Sequence, residues 1–518
     1  MPPEMLNSSG RPPFTLHNLS LTTAPRVATL SAMRDQNRTP FFDAVQAYID
    51  RHRAGLHMPG HMGGQGIHHR LMEFWGENVF LSDLTEVEGL DYLHRPIGVV
   101  KEAQDLAAEA YGALDSFFLV NGSTVGNQAM ILSTCIPYDR VIVQRNSHRS
   151  MYGALILNEL RPIYLEAEED RLLQFQTFPS KQTYARVLRD HPEAKTVFLT
   201  NPNYFGISGD IDYYVQKAHA TGRRILVDEA HGSHFHFHES LPKSAVDAGA
   251  DMVVQSTHKT LAGLTQTSML HLGSRRVDKE LVRATLTMLE TSSPSYILMS
   301  ALDVARMQMA VNGYDLLQRA LDLAEDARHR INNIDGLFAP GRERSRTDAV
   351  YDVDLTKLTV HVSRLGLTGF QVEEILNREY NVEIELSDLE NILAFVTIGT
   401  TRESIDAFVA ALEDIARQRH EKTSVMTAPP PMPEIPEMVL FPYEAYYAKR
   451  ERVRMEDSVG RIIAELVTPY PPGIPITVPG EVMTRECMEY MVFMRDHGAD
   501  LQGIIDKSAK YVQVVKER

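Results

Sequence analysis

Cysteine, tryptophan, long apolar runs and positive charge are all scarce in this 518-residue chain, which holds two Cys and one Trp. Cys135 and Cys487 lie far apart and have no CxxC spacing, which argues against a disulfide scaffold or a thiolate zinc site and points to a reducing compartment, the cytoplasm. Nothing approaches the roughly 18 uninterrupted apolar residues of a membrane-spanning helix, and the N-terminus has no basic segment followed by an apolar run. The chain therefore reads as soluble and unexported, without a membrane partner. Against 68 Asp and Glu stand 52 Lys and Arg, a net charge of −16, which excludes nucleic acid as an expected partner and mildly favours a cationic small substrate. No fixed-period repeat is visible, so solenoids and propellers drop out.

What is present is an α/β pattern long enough for two or three domains. Residues 1–38, rich in Pro, Ser, Thr and Asn, read as a loosely ordered arm. Helical patterns then alternate with short apolar runs: FFLV at 117, RVIV at 140, TVFL at 196, RILV at 224 and MVVQ at 252. That alternation predicts a mainly parallel sheet in a large domain over 39–335, with a helix-rich bridge at its end. A small α+β domain is expected over 336–420. Five prolines in APPPMPEIPEM make 421–438 a stiff linker, and a C-terminal domain over 439–518 follows.

In open α/β sheets ligands sit at the carboxyl ends of strands, so the residues after each strand deserve the closest reading. After FFLV, the segment NGSTVGNQ places Gly122 at a turn and Ser123 and Thr124 at a helix start, suited either to holding a phosphate or to plain N-capping. After RILV, DEAHGSH puts Asp228 and His231 just past a buried strand end, where a carboxylate needs a partner: a protonated pyridine nitrogen, an Arg or a helix N-terminus. After MVVQ comes STHKT. Partial burial there would lower the pKa of Lys259 and leave its amine nucleophilic, with Ser256 and His258 beside it. An Asp at one strand end, a Lys 31 residues later at the next and an earlier Gly-Ser-Thr helix start together specify a pyridoxal 5'-phosphate (PLP) site, with Lys259 carrying the cofactor as a Schiff base.

His231, His234, His236 and His238 invite a metal reading, since alternation in a strand would align three of them. No Asp, Glu or Cys completes an evident ligand set, and the cofactor already accounts for His231. His57, His61, His68 and His69 are discounted in the same way, and no metal is expected.

The chain resembles the PLP-dependent ornithine/lysine/arginine decarboxylases of fold type I, in their shorter bacterial form. The likeness rests on HMPGH at 57–61, SDLTEVEGLDYLHRPIG at 82–98, NGST at 121, RNSHRS at 145, DEAHGSHF at 228, STHKT at 256 and PYPPGIPITVPGE at 469. It implies an aspartate aminotransferase-like fold, with Lys259 as the cofactor lysine and Asp228 as partner of the pyridine nitrogen. His148 would stack on the cofactor ring and Ala230 pack on its other face, while Ser123, Thr124, Ser256 and His258 hold the phosphate. Met62 stands where the family usually has Lys, Asn203 replaces a common Thr, and Thr265 precedes Gln266 where a smaller residue is usual. The N-terminal wing domain of the longer relatives is absent. A homodimer, or an oligomer built of dimers, with active sites at the subunit interface is expected.

The resemblance implies decarboxylation of a basic amino acid, arginine before lysine or ornithine, feeding polyamine metabolism. Lys259 or His258 would return a proton to Cα, and a carboxylate would meet the distal cation of the substrate, with Glu481 expected first and Asp388 in ELSDLEN second. The PLP site alone also fits an aminotransferase or aldolase, since one cofactor site serves many reactions. A non-catalytic homologue that binds a decarboxylase or a polyamine is the reading from another class.

Overall fold

A computed structural model describes residues 34–517, apart from 52, 171, 172, 174, 346, 348, 420–429, 471 and 472. Residues 1–33 of the expected arm and 421–429 of the expected linker lie outside the described residues. Residues 36–38 do not belong to a loose arm: they are part of the compact unit beginning at Gln36, where Arg306 donates to the carbonyls of Gln36 (2.8 Å) and Arg38 (2.6 Å).

Seven strands form the central sheet: β1 (Asp115–Leu119), β2 (Arg140–Gln144), β3 (Arg161–Leu165), β4 (Thr196–Thr200), β5 (Arg224–Asp228), β6 (Met252–Gln255) and β7 (Ser268–Leu272). Their spatial order is β1-β7-β6-β5-β4-β2-β3, parallel from β6 to β3, with β7 antiparallel to both its neighbours. All five apolar runs read from the sequence are strands of this sheet. The two that escaped, RPIYL and SMLHL, carry polar residues or proline. Pro162 is tolerated because β3 is an edge strand, and Nδ1 of His271 in β7 meets Ser116 Oγ at 2.7 Å.

The runs are continuous because helices cover both faces. Successive side chains point to opposite sides, so Leu226 packs into one apolar cluster while Ile225 and Val227 pack into the other. A helix, α1 (Gly122–Leu132), returns from β1 directly onto the sheet. It comes so close that a Cβ at Gly126 would stand 2.4 Å from Val254 Cγ2. A 36-residue helix, Tyr296–Ile331, leads away from the sheet, and from Ala320 onward it packs into a second core. That core is built around an antiparallel sheet of β8 (Lys357–His361), β9 (Leu386–Ser387) and β10 (Asn391–Phe395), with β10 central. A third core gathers Met455, Ile463, Cys487, Met491 and Val512 near the C-terminus. Among the described residues no helix is long and apolar enough to cross a membrane.

Candidate active site

At the carboxyl ends of β4, β5 and β6 a cavity of about 310 Å³ opens. Asp228, Ala230, His231, Ser256, His258, Lys259, Ser123, Thr124 and His148 all line it.

Its floor begins at α1. Gly122 adopts φ +72°, a left-handed conformation suited to glycine, and turns the chain from β1 into the helix. Among the described residues no side chain caps the helix at Asn121, and its first N–H, that of Gly122, donates to Gln266 O (2.9 Å). Ser123 Oγ lies 2.7 Å from Ser256 Oγ and 3.0 Å from Ser268 Oγ, so three hydroxyls converge on that helix start. This is a donor set for a phosphate.

One turn along α1, Asn127 reaches the buried carboxylate of Asp228. Its Nδ2 donates to Asp228 Oδ2 (2.7 Å) and to Ser150 Oγ (2.9 Å), while Ala230 N donates to Asp228 Oδ1 (3.1 Å). Ser150 continues the chain to His148, its Oγ 2.8 Å and its backbone N 3.2 Å from His148 Nδ1. Because a backbone N–H only donates, Nδ1 is an acceptor and His148 carries its proton on Nε2. The ring opens to the cavity but is crowded by protein. Lost solvation outweighs the pull of Asp228, and with Lys259 and Arg149 nearby the pKa of His148 is lowered.

Lys259 follows β6 on a single helical turn. Burial lowers its pKa, against the opposing pull of Asp228 and Glu385. Its Nζ lies 2.9 Å from His231 Nε2 and 5.4 Å from the centroid of Tyr204. His231 is held well below the usual imidazole range by burial and then by Lys259, so it accepts from the lysine, and its buried Nδ1 has no partner among the described residues. His258 donates Nδ1–H to Thr267 O (2.8 Å), and its pKa is lowered, chiefly by burial. A buried amine, a cluster of serine hydroxyls at a helix start and a buried carboxylate thus share one cavity.

The model of the Orn/Lys/Arg decarboxylase major domain matches residues 39–404, and that of the C-terminal domain matches residues 427–508. The chain belongs to the ornithine/lysine/arginine decarboxylase family. It is similar to a protein of Bacillus anthracis named arginine decarboxylase, with 41% identity over 93% of this chain and 98% of the relative. A Bacillus subtilis protein of the same name is 40% identical over 93% and 99% of the two chains. Among solved structures, lysine decarboxylase A of Pseudomonas aeruginosa superposes with a TM-score of 0.79 at 24% identity, covering 92% of this chain and 80% of that one. That last likeness shows the fold alone.

For a decarboxylase of this family, two of the expected substrate residues are out of place. Glu481 does not line the cavity. It is fully buried behind it, where its Oε2 accepts from Arg145 Nη2 (3.0 Å) and Val478 N (2.9 Å). Asp388 sits at a separate small cavity, accepting from Glu390 N (2.8 Å) and Asn391 N (2.7 Å), and burial lifts its carboxyl to about 6. Both acids are engaged by their own surroundings. Glu385, first residue of the same ELSDLEN segment, is tied to the cavity through the lining residue Tyr204, whose OH donates to its Oε1 at 3.3 Å.

Asn127 and Tyr204 were also not anticipated. The i, i+4 spacing of Ser123 and Asn127 on one helix face was the available signal for the first. Tyr204 has none, because its place depends on the neighbouring Asn203. Asn203 Oδ1 accepts from the backbone N of Phe205 (3.0 Å) and Ile207 (2.9 Å), which gives that departure from the family pattern a structural role. Thr265 lines the cavity, whereas Met62 does not and adopts φ +49°.

The histidine stretch is no strand: residues 235–237 form a 3-10 turn, and the side chains diverge. His234 meets Asp354 (3.0 Å), His236 meets Asp247 (2.9 Å) and His238 meets Gln318 (3.1 Å), each in a different place.

Proposed function

We propose that this protein decarboxylates a basic L-amino acid using PLP, converting arginine to agmatine, in a cytoplasmic homodimer that feeds polyamine metabolism. The observation that carries this reading is the single cavity uniting Lys259, Asp228 and the serine cradle at a helix start. Arginine is favoured because the two Bacillus relatives bear that name at 40–41% identity over nearly their whole length. Dimerisation is supported by large apolar side chains left exposed, among them Leu56 (94%), Ile97 (83%) and Phe74 (81%).

In this reading Ser123, Thr124, Ser256 and His258 would hold the phosphate, Asp228 would partner the pyridine nitrogen, His148 and Ala230 would hold the ring, and Lys259 would be the point of covalent attachment. The unpartnered His231 Nδ1 and the uncapped start of α1 are polar groups that such a guest would meet. When bound, PLP supplies an electron-poor ring that accepts the electron pair of the breaking Cα–carboxylate bond. The protein does the rest. Asn127 Nδ2 and Ala230 N donate to the two oxygens of Asp228 and hold its carboxyl group in place. His148 presents Nε2–H toward the cavity and fixes orientation from one side. Lys259 Nζ, exchanging a proton with His231 Nε2, returns the proton to Cα after carbon dioxide departs, and His258, once it has taken up a second proton at Nε2, is the second candidate for that step. Glu385 and the Tyr204 hydroxyl receive the distal guanidinium.

Purified protein given arginine, lysine and ornithine separately tests this directly. Agmatine with stoichiometric carbon dioxide is expected; amino-group transfer without carbon dioxide would overturn the assignment. Lys259→Ala should abolish turnover while the circular dichroism spectrum is unchanged, and substantial residual decarboxylation would remove Lys259 from the mechanism.

A further inference from the structure

The Arg145–Glu481 pair belongs to neither the reaction nor the surface, yet it sits between two walls of the cavity. Arg145 directly precedes Asn146, Ser147 and His148, which line the cavity from the end of β2. Glu481 ends the segment whose earlier residues Gly473 and Ile474 line it from the C-terminal side. A single atom, Arg145 Nη2, donates both to Glu481 Oε2 and to the carbonyl of Ile476, each at 3.0 Å. The guanidinium also lies 4.8 Å from the centroid of Tyr164 and 5.9 Å from that of Tyr152, whose hydroxyl bonds back to the Arg145 carbonyl.

As a stabilising device this pair is poorly made. Both residues are almost wholly buried, Arg145 at 3% and Glu481 at 0% exposure, and among the described residues Arg145 Nη1 and Glu481 Oε1 find no hydrogen-bond partner. A buried pair with unsatisfied atoms recovers little of its desolvation cost, whereas its directional bonds specify one registry between the segments it joins. The segments joined here are the two cavity walls.

We infer that Arg145 and Glu481 are positioning residues whose ion pair docks the Gly473–Ile474 wall against the His148 loop and thereby sets the length of the substrate cavity. The consequence is discrimination among basic amino acids by side-chain length, which rests on the decarboxylase reading above. A wall free to shift accepts shorter or longer chains alike, and one methylene of fit is worth about 10–200-fold in selectivity.

The test compares wild type with Glu481→Gln, with the double variant Arg145→Met/Glu481→Met and with Ile474→Ala. For each, kcat/KM and calorimetric Kd are measured for arginine, lysine and ornithine, together with Tm. The double variant removes both charges at similar volume, so it keeps Tm near wild type. The expected result is that its preference for the best substrate over the other two falls by about tenfold or more, chiefly through KM, and that Ile474→Ala reproduces the loss. The inference is overturned if the double variant discriminates as wild type does, or if all three substrates lose the same factor in step with Tm. Loss of soluble protein from both pair variants would assign the pair to folding alone and overturn it too. Absence of carbon dioxide from wild type with every substrate would instead refute the functional reading, and the wall would then be judged from the Kd ratios.

Discussion

Glu385 offers the sharpest quantitative test of the distal pocket. Its carboxylate accepts from Tyr204 OH at 3.3 Å, Lys259 lies near enough to influence its charge, and burial raises its pKa against the opposing pull of Lys357, Tyr204 and Lys259. Glu385→Gln keeps the shape and one acceptor oxygen and removes only the charge. A fully desolvated charge-assisted bond contributes about 1.5–3 kcal/mol, and an exposed ion pair about 0–1 kcal/mol. Glu385 is open to solvent on one side, so an intermediate value of about 1–2 kcal/mol applies, or roughly 5–30-fold in kcat/KM. The loss should fall mainly on KM, since the distal cation is bound alike in ground and transition states. The assay compares arginine with citrulline, its neutral near-isostere, in both proteins. The arginine preference should shrink by that same factor, while kcat at saturating arginine moves little. An unchanged preference would refute the placement of the guanidinium at Glu385.

Three further outcomes follow from the geometry. Asn127→Leu removes the 2.7 Å donor to Asp228 and breaks the chain to Ser150 and His148, so kcat/KM should fall about 10–150-fold with unchanged secondary structure; a wild-type rate would show the chain to be idle. Gly126→Ala would press a methyl to 2.4 Å from Val254 Cγ2 and 3.0 Å from Leu119 Cδ1, and overpacking of this kind costs about 1–3 kcal/mol, which thermal denaturation should register as a lower Tm; an unchanged Tm would refute the close packing of α1 on the sheet. Burial lifts the Glu229 carboxyl to about 8 from an ordinary 4.5, despite donors from Ala245 N, Gln255 and Ser244. Between those two pH values the folded protein holds a proton that the unfolded chain has released, so stability declines as pH rises through the window. In Glu229→Gln that share of the decline should vanish, with Gln255 turning its unpartnered Oε1 toward the new amide. Equal slopes of Tm against pH in the two proteins would contradict it.

Legibility differed sharply between the site's parts. The cofactor cradle was readable because each of its residues follows a strand directly, and strand ends in a parallel sheet converge on one edge. Ser123, Asp228 and Lys259 are separated widely in sequence, but the repeated strand-then-polar pattern marks them as neighbours. The distal pocket offered no such signal. Glu385, Asp388 and Glu481 are all acids on short segments outside the central sheet's strands, and nothing local distinguishes the one beside Tyr204 from those held by Asn391 or Arg145. The histidine stretch misled for a related reason: alternation predicts a shared face only if the segment is extended, and Gly232 and Ser233 begin a turn instead.

What the sequence determined by itself was the five parallel-sheet apolar runs and the helices between them, the lysine and carboxylate at adjacent strand ends, and the family, because these depend on short-range pattern and on the parallel sheet's own geometry. Only the tertiary structure decided which distant acid meets Tyr204, that Asn127 and Ser150 tie Asp228 to His148, and that a buried arginine joins the His148 loop to the C-terminal segment. Those are contacts across long sequence separations, made by packing between separate cores, and no local spacing encodes them.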